Sequence, residues 1–451
     1  MSRKNIEAKG IEHVSLEERH GSVGRNFTLW AAANFTIADY VIGVLSVLVF
    51  GVPLAVAIPV IILGNIAGGI LLAACAAMGP SLGFPQMMTS KAVFGSKGNR
   101  IFGILNWIST IGWISVNIIL GAEAIQTLVS VNIVVAMVLL TVIQIVIAVY
   151  GHDYIHRFEK IMSVVLVVLF GSIFVMSLTH ITQAFAFAPT APLWVGIGIT
   201  FATTFSYIMS WAPYAADYSR YLPEKSSKKK VFILTLTGGA AASAFVEIVG
   251  AFVGAITLST DYFEALKGVA GSFGIIAIAA VILGSMSANI LNIYTNALSG
   301  LIMGLKTKRW VAVILGGSLG LTFAVVSGTN FASFYEAFLL ALDYWLTPWL
   351  SIIIVDFLSN KITVTTITNP PSRVSPVISY LLALTISIPF MVPLLPLPIP
   401  FGSLAYMFNG VDCSYFISFG IAAVIELIAI KLVHPTTATN RKDGWLKFLN
   451  A

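Results

Sequence analysis

Apolar stretches of about 20 residues, separated by short polar connections, recur along the whole chain. Twelve can be marked, at 29–50, 52–78, 101–129, 132–150, 158–178 and 194–218, then at 231–258, 268–305, 311–326, 331–357, 377–397 and 415–433. A membrane-spanning strand needs only about 10 residues, whereas a spanning helix needs about 20. Hydrocarbon offers the backbone no hydrogen-bonding partners, so a spanning segment must satisfy its own amides, as a helix does. The pattern therefore predicts an all-α integral membrane protein of about twelve transmembrane helices, the fold class expected for the whole chain.

Composition agrees: 58% of residues are hydrophobic, 10% are charged and the mean hydropathy is +0.93, where an ordinary soluble domain carries roughly a quarter charged residues. Charge adds an orientation. Lys91, Lys97, Arg157, Arg220, Lys228, Lys229, Lys230, Lys306, Arg309, Lys361 and Arg373 all fall in alternate connections, with Lys267 alone in the opposite set. Cytoplasmic loops hold the Lys and Arg excess, so an even number of spans with both termini cytoplasmic is expected in the cell membrane. That bias accounts for the net charge of +6 without a nucleic-acid partner. Residues 1–26 have no apolar stretch and read as a soluble tail, not a cleaved leader. The expected organisation is this tail, a transport core over 27–357 made of two repeats (about 29–178 and 194–357), two further helices over 358–434, and a tail over 435–451.

Two apolar runs carry polar or helix-breaking residues at comparable places: Asn34, Thr36 and Asp39 in the first, Ser206, Ser210, Trp211 and Pro213 in the sixth. Interruptions at matching positions of two halves point to a midplane binding site in an inverted-repeat transporter, because unwound backbone is tolerated where it lines a cavity. Pro393, Pro396, Pro398 and Pro400 between the last two runs suggest no chemistry. Cys75 and Cys413 form no framework, the histidines follow no metalloenzyme spacing and no phosphate-binding glycine loop is present, so a metal site, a bound cofactor, enzymatic activity and direct ATP hydrolysis are not expected.

In the third span Trp113 and Asn117 lie one turn apart on one face. Trp211 stands between Tyr207 and Tyr214, and the eighth span carries Ser285, Ser287, Asn289 and Asn292. Aromatic faces and amides without a cationic side chain suit a planar, neutral, nitrogen-rich ring; a carboxylate or phosphate cargo would call for Arg or Lys. The plainer alternative is that Asn and Ser join helices and Trp anchors an interface. Among intramembrane acids, Asp39, Glu247 and Asp343 lie deep and are candidates for proton coupling. Asp217 is expected to pair with Arg220, while Glu123, Glu336 and Glu426 read as solvated or packing residues.

At these residues the chain resembles the nucleobase:cation symporter family 1, purine–cytosine permease branch. The resemblance rests on Ile11-Glu12-His13-Val14, Trp30 to Asn34, Gly83-Phe84-Pro85-Gln86-Met87, Gly112-Trp113 with Asn117, Ala215 to Tyr221, Asn292-Ile293-Tyr294, and Trp345, Pro348, Trp349 and Asp356. It implies a LeuT-type five-plus-five inverted repeat with two extra helices, alternating access, and import of cytosine or a purine with a cation. It further implies that Trp113 stacks on the ring, that Asn117 reads its edge, and that Trp211, Asn289 and Asn292 complete a pocket to which the interruptions add Asn34 and Ser210. Sodium-coupled relatives offer two adjacent hydroxyls early in the eighth span where this chain has Ser287-Ala288. The coupling ion, H+ or Na+, is therefore expected to be the proton, with Ser287, Asp39, Glu247 and Asp343 as candidate coupling residues. The alternatives are another neutral heterocycle (allantoin, a hydantoin or a vitamin-like pyrimidine), or a non-transporting membrane sensor or channel. Lipid is the other expected partner.

Overall fold

The computed structural model describes residues 7–188, 192–327, 331–392 and 402–433. The proline-rich connection from Pro393 to Pro400 and the expected tail over 435–451 lie outside the described residues. Among the described residues every regular element is helical. Ten helices among the described residues are long and apolar enough to cross a membrane: Leu54–Leu82, Gln86–Leu128, Ile133–Tyr150, His152–Leu178, Leu193–Ser219, Lys228–Thr257, Tyr262–Met303, Arg309–Ser327, Tyr335–Leu358 and Ser414–Leu432. Before them, Gly24–Ala33 and Ile37–Leu48 form one span bent by 57°. The shorter apolar helix Ser375–Phe390 stands where the sequence places the eleventh span.

The bend in the first span is built from local capping chemistry. Asn34 closes the first half-helix and donates its Nδ2 to Trp30 O at 2.7 Å. Thr36 opens the second half by accepting the Asp39 amide on its Oγ1 at 3.2 Å, as an N-cap hydroxyl does. The unwound stretch lies against the eighth span, where a Cβ on Gly284 would sit 2.2 Å from Phe35 O. The second half-helix packs as closely on the seventh span. A Cβ on Gly43 would fall 1.8 Å from Glu247 O, and one on Gly250 would fall 2.0 Å from Tyr40 O. Small residues permit this approach of backbones, from which packing in lipid draws much of its energy.

Three boundaries differ from those the hydrophobic pattern predicts. The third span is preceded by a polar helical segment from Gln86, joined to it across a non-helical break at Gly95 (φ 70°, ψ −177°). The eighth is preceded by an added helix, Tyr262–Ala270. The fifth begins at His152, after Gly151 with φ 88°, so His152 and His156 belong to its first turns, not to a loop, and Glu159 lies deeper than its sequence position suggests.

Charged residues at two places knit distant segments together. Arg373 pairs with Asp356 and, at 2.5 Å, with Glu426, whose other oxygen accepts Ser379 Oγ at 2.9 Å. Glu426 thereby ties the last two spans to the tenth, in contrast to a solvated role. The amino-terminal tail also departs from expectation, since it is a packed strap across the end of the bundle where the Lys/Arg-rich loops gather. Val14 N donates to Gly83 O at 2.9 Å, His20 N to Tyr221 O at 2.6 Å, and Arg220 Nη1 to Gly10 O at 2.8 Å. The Glu7 carboxylate accepts Tyr221 OH at 2.5 Å, Tyr294 OH at 3.0 Å and the His152 amide at 2.9 Å, with Arg220 and Arg309 within 3.8 Å. Arg220 is thus turned toward the strap. Asp217, its expected partner, instead accepts Gln86 N at 2.9 Å and Thr295 Oγ1 at 2.8 Å.

Candidate substrate and coupling site

The aromatic part of the site is assembled from the third, sixth and tenth spans. The Trp113 ring, 4% exposed, meets Tyr207 edge-on at 5.4 Å and Phe338 at 5.2 Å, with Tyr335 at 6.1 Å. Trp211 packs edge-on against Trp30 of the first span at 5.7 Å and Tyr214 at 5.4 Å. Such T-shaped contacts fix ring orientation, because each edge is drawn to the quadrupole of the next face.

Polar atoms on the first, third, sixth and eighth spans divide into engaged and unengaged sets. Ser210 Oγ donates to Tyr207 O at 2.6 Å and so caps its own helix. Asn289 joins three helices: its Nδ2 donates to Gln144 Oε1 at 2.8 Å and to Ile114 O at 3.3 Å. Asn34 and Asn117 spend Nδ2 only on carbonyls one turn back, at Trp30 and Trp113. Their Oδ1 atoms are buried without a partner, as are Oδ1 of Asn289, Nε1 of Trp30 and of Trp211, and both amide atoms of Asn292. Among the described asparagines, Asn292 alone leaves both side-chain polar atoms buried and unpartnered. An unmade hydrogen bond on a buried group costs about 1–3 kcal/mol, so donors and acceptors held idle on the first, third, sixth and eighth spans are suited to a ligand carrying both kinds of group.

A second constellation lies beside the bend. Asp39 accepts Thr36 Oγ1 at 2.8 Å on one oxygen and Ser243 Oγ at 2.5 Å on the other. Ser243 Oγ also lies 3.4 Å from Glu247 Oε1, and Asn65 Nδ2 donates to Glu247 Oε2 at 2.5 Å. Thr36 Oγ1 is 3.0 Å from Tyr207 OH, which connects this network to the ring beside Trp113. The structure thus brings Asp39 and Glu247 together on one hydroxyl. It keeps the other two coupling candidates apart: Ser287 donates to the buried Glu159 carboxylate of the fifth span, and Asp343, buried in the tenth span, lies beside the Ser206 hydroxyl of the sixth. Ser243, Asn65 and Glu159 escaped the sequence reading. Ser243 had a signal, lying four residues before Glu247 and hence on one helix face; Glu159 was hidden by the late start assigned to its helix.

Residues 13–373 match the family described as permeases for cytosine/purines, uracil, thiamine and allantoin. The chain belongs to this permease family. It is 28% identical over 448 residues to YxlA of Bacillus subtilis, covering 94% of this chain and 96% of that protein. To the purine-cytosine permease FCY2 of Saccharomyces cerevisiae it is 27% identical over 379 residues, covering 77% and 70%. Among solved structures, Mhp1, a nucleobase-cation-symport-1 family transporter in a closed conformation with bromovinylhydantoin bound, superposes with a TM-score of 0.77 at 16% identity over 98% of this chain and 99% of that one. MhsT in complex with L-phenylalanine superposes with a TM-score of 0.56 at 13% identity, over 92% and 99%. The permease therefore has the LeuT-type fold of multi-pass transporters, and its first-span bend lies where that architecture places the unwound midplane of a repeat.

Proposed function

We propose that this permease imports a nucleobase, cytosine or a purine, by alternating access in symport with a proton, with both termini in the cytoplasm. The observation that carries the substrate is the fully idle Asn292 amide, together with the unpartnered Asn117 oxygen and Trp211 indole N–H. A nucleobase offers both donors and acceptors on its edge and a flat face for the Trp rings. No Lys or Arg contacts these residues through a hydrogen bond or ion pair among the described residues, in keeping with a neutral cargo. Relatives named as purine-cytosine permeases support the same reading.

Proton coupling rests on the Asp39–Ser243–Glu247 arrangement. Two carboxylates sharing one hydroxyl in a site sealed from solvent, with no cationic partner among the described residues, accommodate one exchangeable proton at less cost than two charges. Through Thr36 and Tyr207 its loss or gain reaches the bend and Trp113. Orientation rests on the segregation of Lys and Arg, which gather at the strap end.

Reconstitution into proteoliposomes tests the reading. Labelled cytosine or adenine should accumulate under an inward proton gradient without sodium, stop with a protonophore, and exchange faster when unlabelled base is preloaded. Uptake that requires sodium and ignores the protonophore would replace the ion; absence of counterflow with every base would remove the transport reading itself.

A further inference from the structure

At the strap end, His20 from the strap meets His152 and Asp153 from the first turn of the fifth span. One ligand-type atom from each lies within 4.8 Å of the others. His20 Nε2 is 2.8 Å from Asp153 Oδ1, and His152 Nδ1 is 3.5 Å from the same oxygen. The opposite nitrogens face backbone carbonyls: His20 Nδ1 lies 2.8 Å from Glu18 O, and His152 Nε2 lies 3.2 Å from Tyr218 O. A carbonyl can only accept, so the single proton of a neutral His152 is held on Nε2 and Nδ1 keeps its lone pair. His20 meets an acceptor at each nitrogen; with its proton on Nδ1, its Nε2 lone pair, that of His152 and the Asp153 oxygen face one another, and a cation can take the place of a proton between them. His152 Nδ1 is buried without a hydrogen-bonding partner, on a residue that is 4% exposed.

We propose that His20, His152 and Asp153 bind a divalent transition-metal ion of the zinc type, which pins the strap to the fifth span. Zinc takes imidazole nitrogen and carboxylate oxygen at about 2.0–2.2 Å, which spaces tetrahedral ligand atoms about 3.4 Å apart. The two separations to Asp153 bracket that spacing. Carbonyls on the far nitrogens are the outer-shell partners that orient metal-bound imidazoles. With His20 and Asp153 each nearly half exposed, a fourth position opens to water. Two other cations compete for Asp153: the Arg25 guanidinium, 3.9 Å from Oδ1, and a second proton on His20. Neither engages His152 Nδ1. Nothing in this site depends on the cargo of the permease.

The test uses full-length protein freed of any affinity tag, stripped with a chelator and titrated with Co2+ in detergent. Visible ligand-field absorption should saturate at one ion per chain without a thiolate charge-transfer band, and Zn2+ should displace the cobalt. His20→Ala, at an exposed position, should abolish the signal, and Asp153→Asn should weaken binding at least tenfold, while His180→Ala leaves it intact. Saturating Zn2+ should slow hydrogen exchange of the strap in wild type and not in His20→Ala. The proposal is overturned if cobalt binds without saturation, if both site variants bind like wild type while eluting as folded monodisperse protein, or if no ion binds at pH values where His20 is neutral.

Discussion

Asn289 and Asn292 stand three residues apart on one helix and are engaged differently, Asn289 through Nδ2 and Asn292 through neither amide atom. Asn289 spends its amide on Gln144 and Ile114, so Asn289→Ala should lower the melting temperature by orphaning Gln144, at about 1–3 kcal/mol, while base affinity stays close to wild type. Asn292→Ala removes an amide that bonds to nothing in the protein. It should leave the ligand-free melting temperature unchanged and reduce the shift caused by cytosine or adenine. Trp113→Ala should weaken binding about tenfold or more, since a lost aromatic–base stack is worth about 1–3 kcal/mol. Thermal shift with and without base separates all three; an Asn289 variant that loses affinity and keeps its stability would reverse the assignment. Glu247→Gln should abolish gradient-driven accumulation and preserve counterflow, because exchange needs the binding site and not the proton.

The second half of the first span and the seventh span touch backbone to backbone at Gly43 and Gly250. Gly43→Val should therefore give no monodisperse peak in fluorescence-detected size exclusion, whereas Gly268→Ala, with open space around it, should elute normally. The bend itself was legible, because Asn34 and Thr36 are capping residues inside an apolar run. The Trp113–Asn117 pair was legible as well, being set by helical spacing alone. What stayed hidden depends on partners far away in the chain. Gln144 lies 145 residues from Asn289, and Ser243 lies 204 residues from Asp39. Hydropathy starts the fifth span at Phe158 because His152 to Arg157 is polar, and a hydropathy window cannot tell that His152 and His156 are buried against Tyr218 and the strap.

Across the whole molecule, the strap makes one carboxylate a junction for segments from four parts of the chain. Burial works to raise the Glu7 pKa, but Arg309, Arg220, His152 and the Tyr221 hydroxyl together more than offset it and hold the carboxyl below its usual 4.5. A depressed folded value contributes stability that is fully present above the unfolded pKa and disappears as pH falls through the folded one. A spin label at Glu17 should thus stay immobile from about pH 8 to about pH 5 and loosen only in stronger acid, whereas in Glu7→Gln it should be mobile throughout. A cysteine beside Lys229 should resist an impermeant thiol reagent in intact cells and react in inverted vesicles; labelling from outside would invert the proposed topology. The junction also orders events at the ribosome. Arg309 follows Glu7 by 302 residues, so at about 5–20 residues per second the guanidinium is made roughly 15–60 s after the carboxylate it will hold. Over that interval the tail can already meet Gly83, His152, Tyr221 and Arg220, and the junction closes only when Arg309, at the head of the ninth span, joins it.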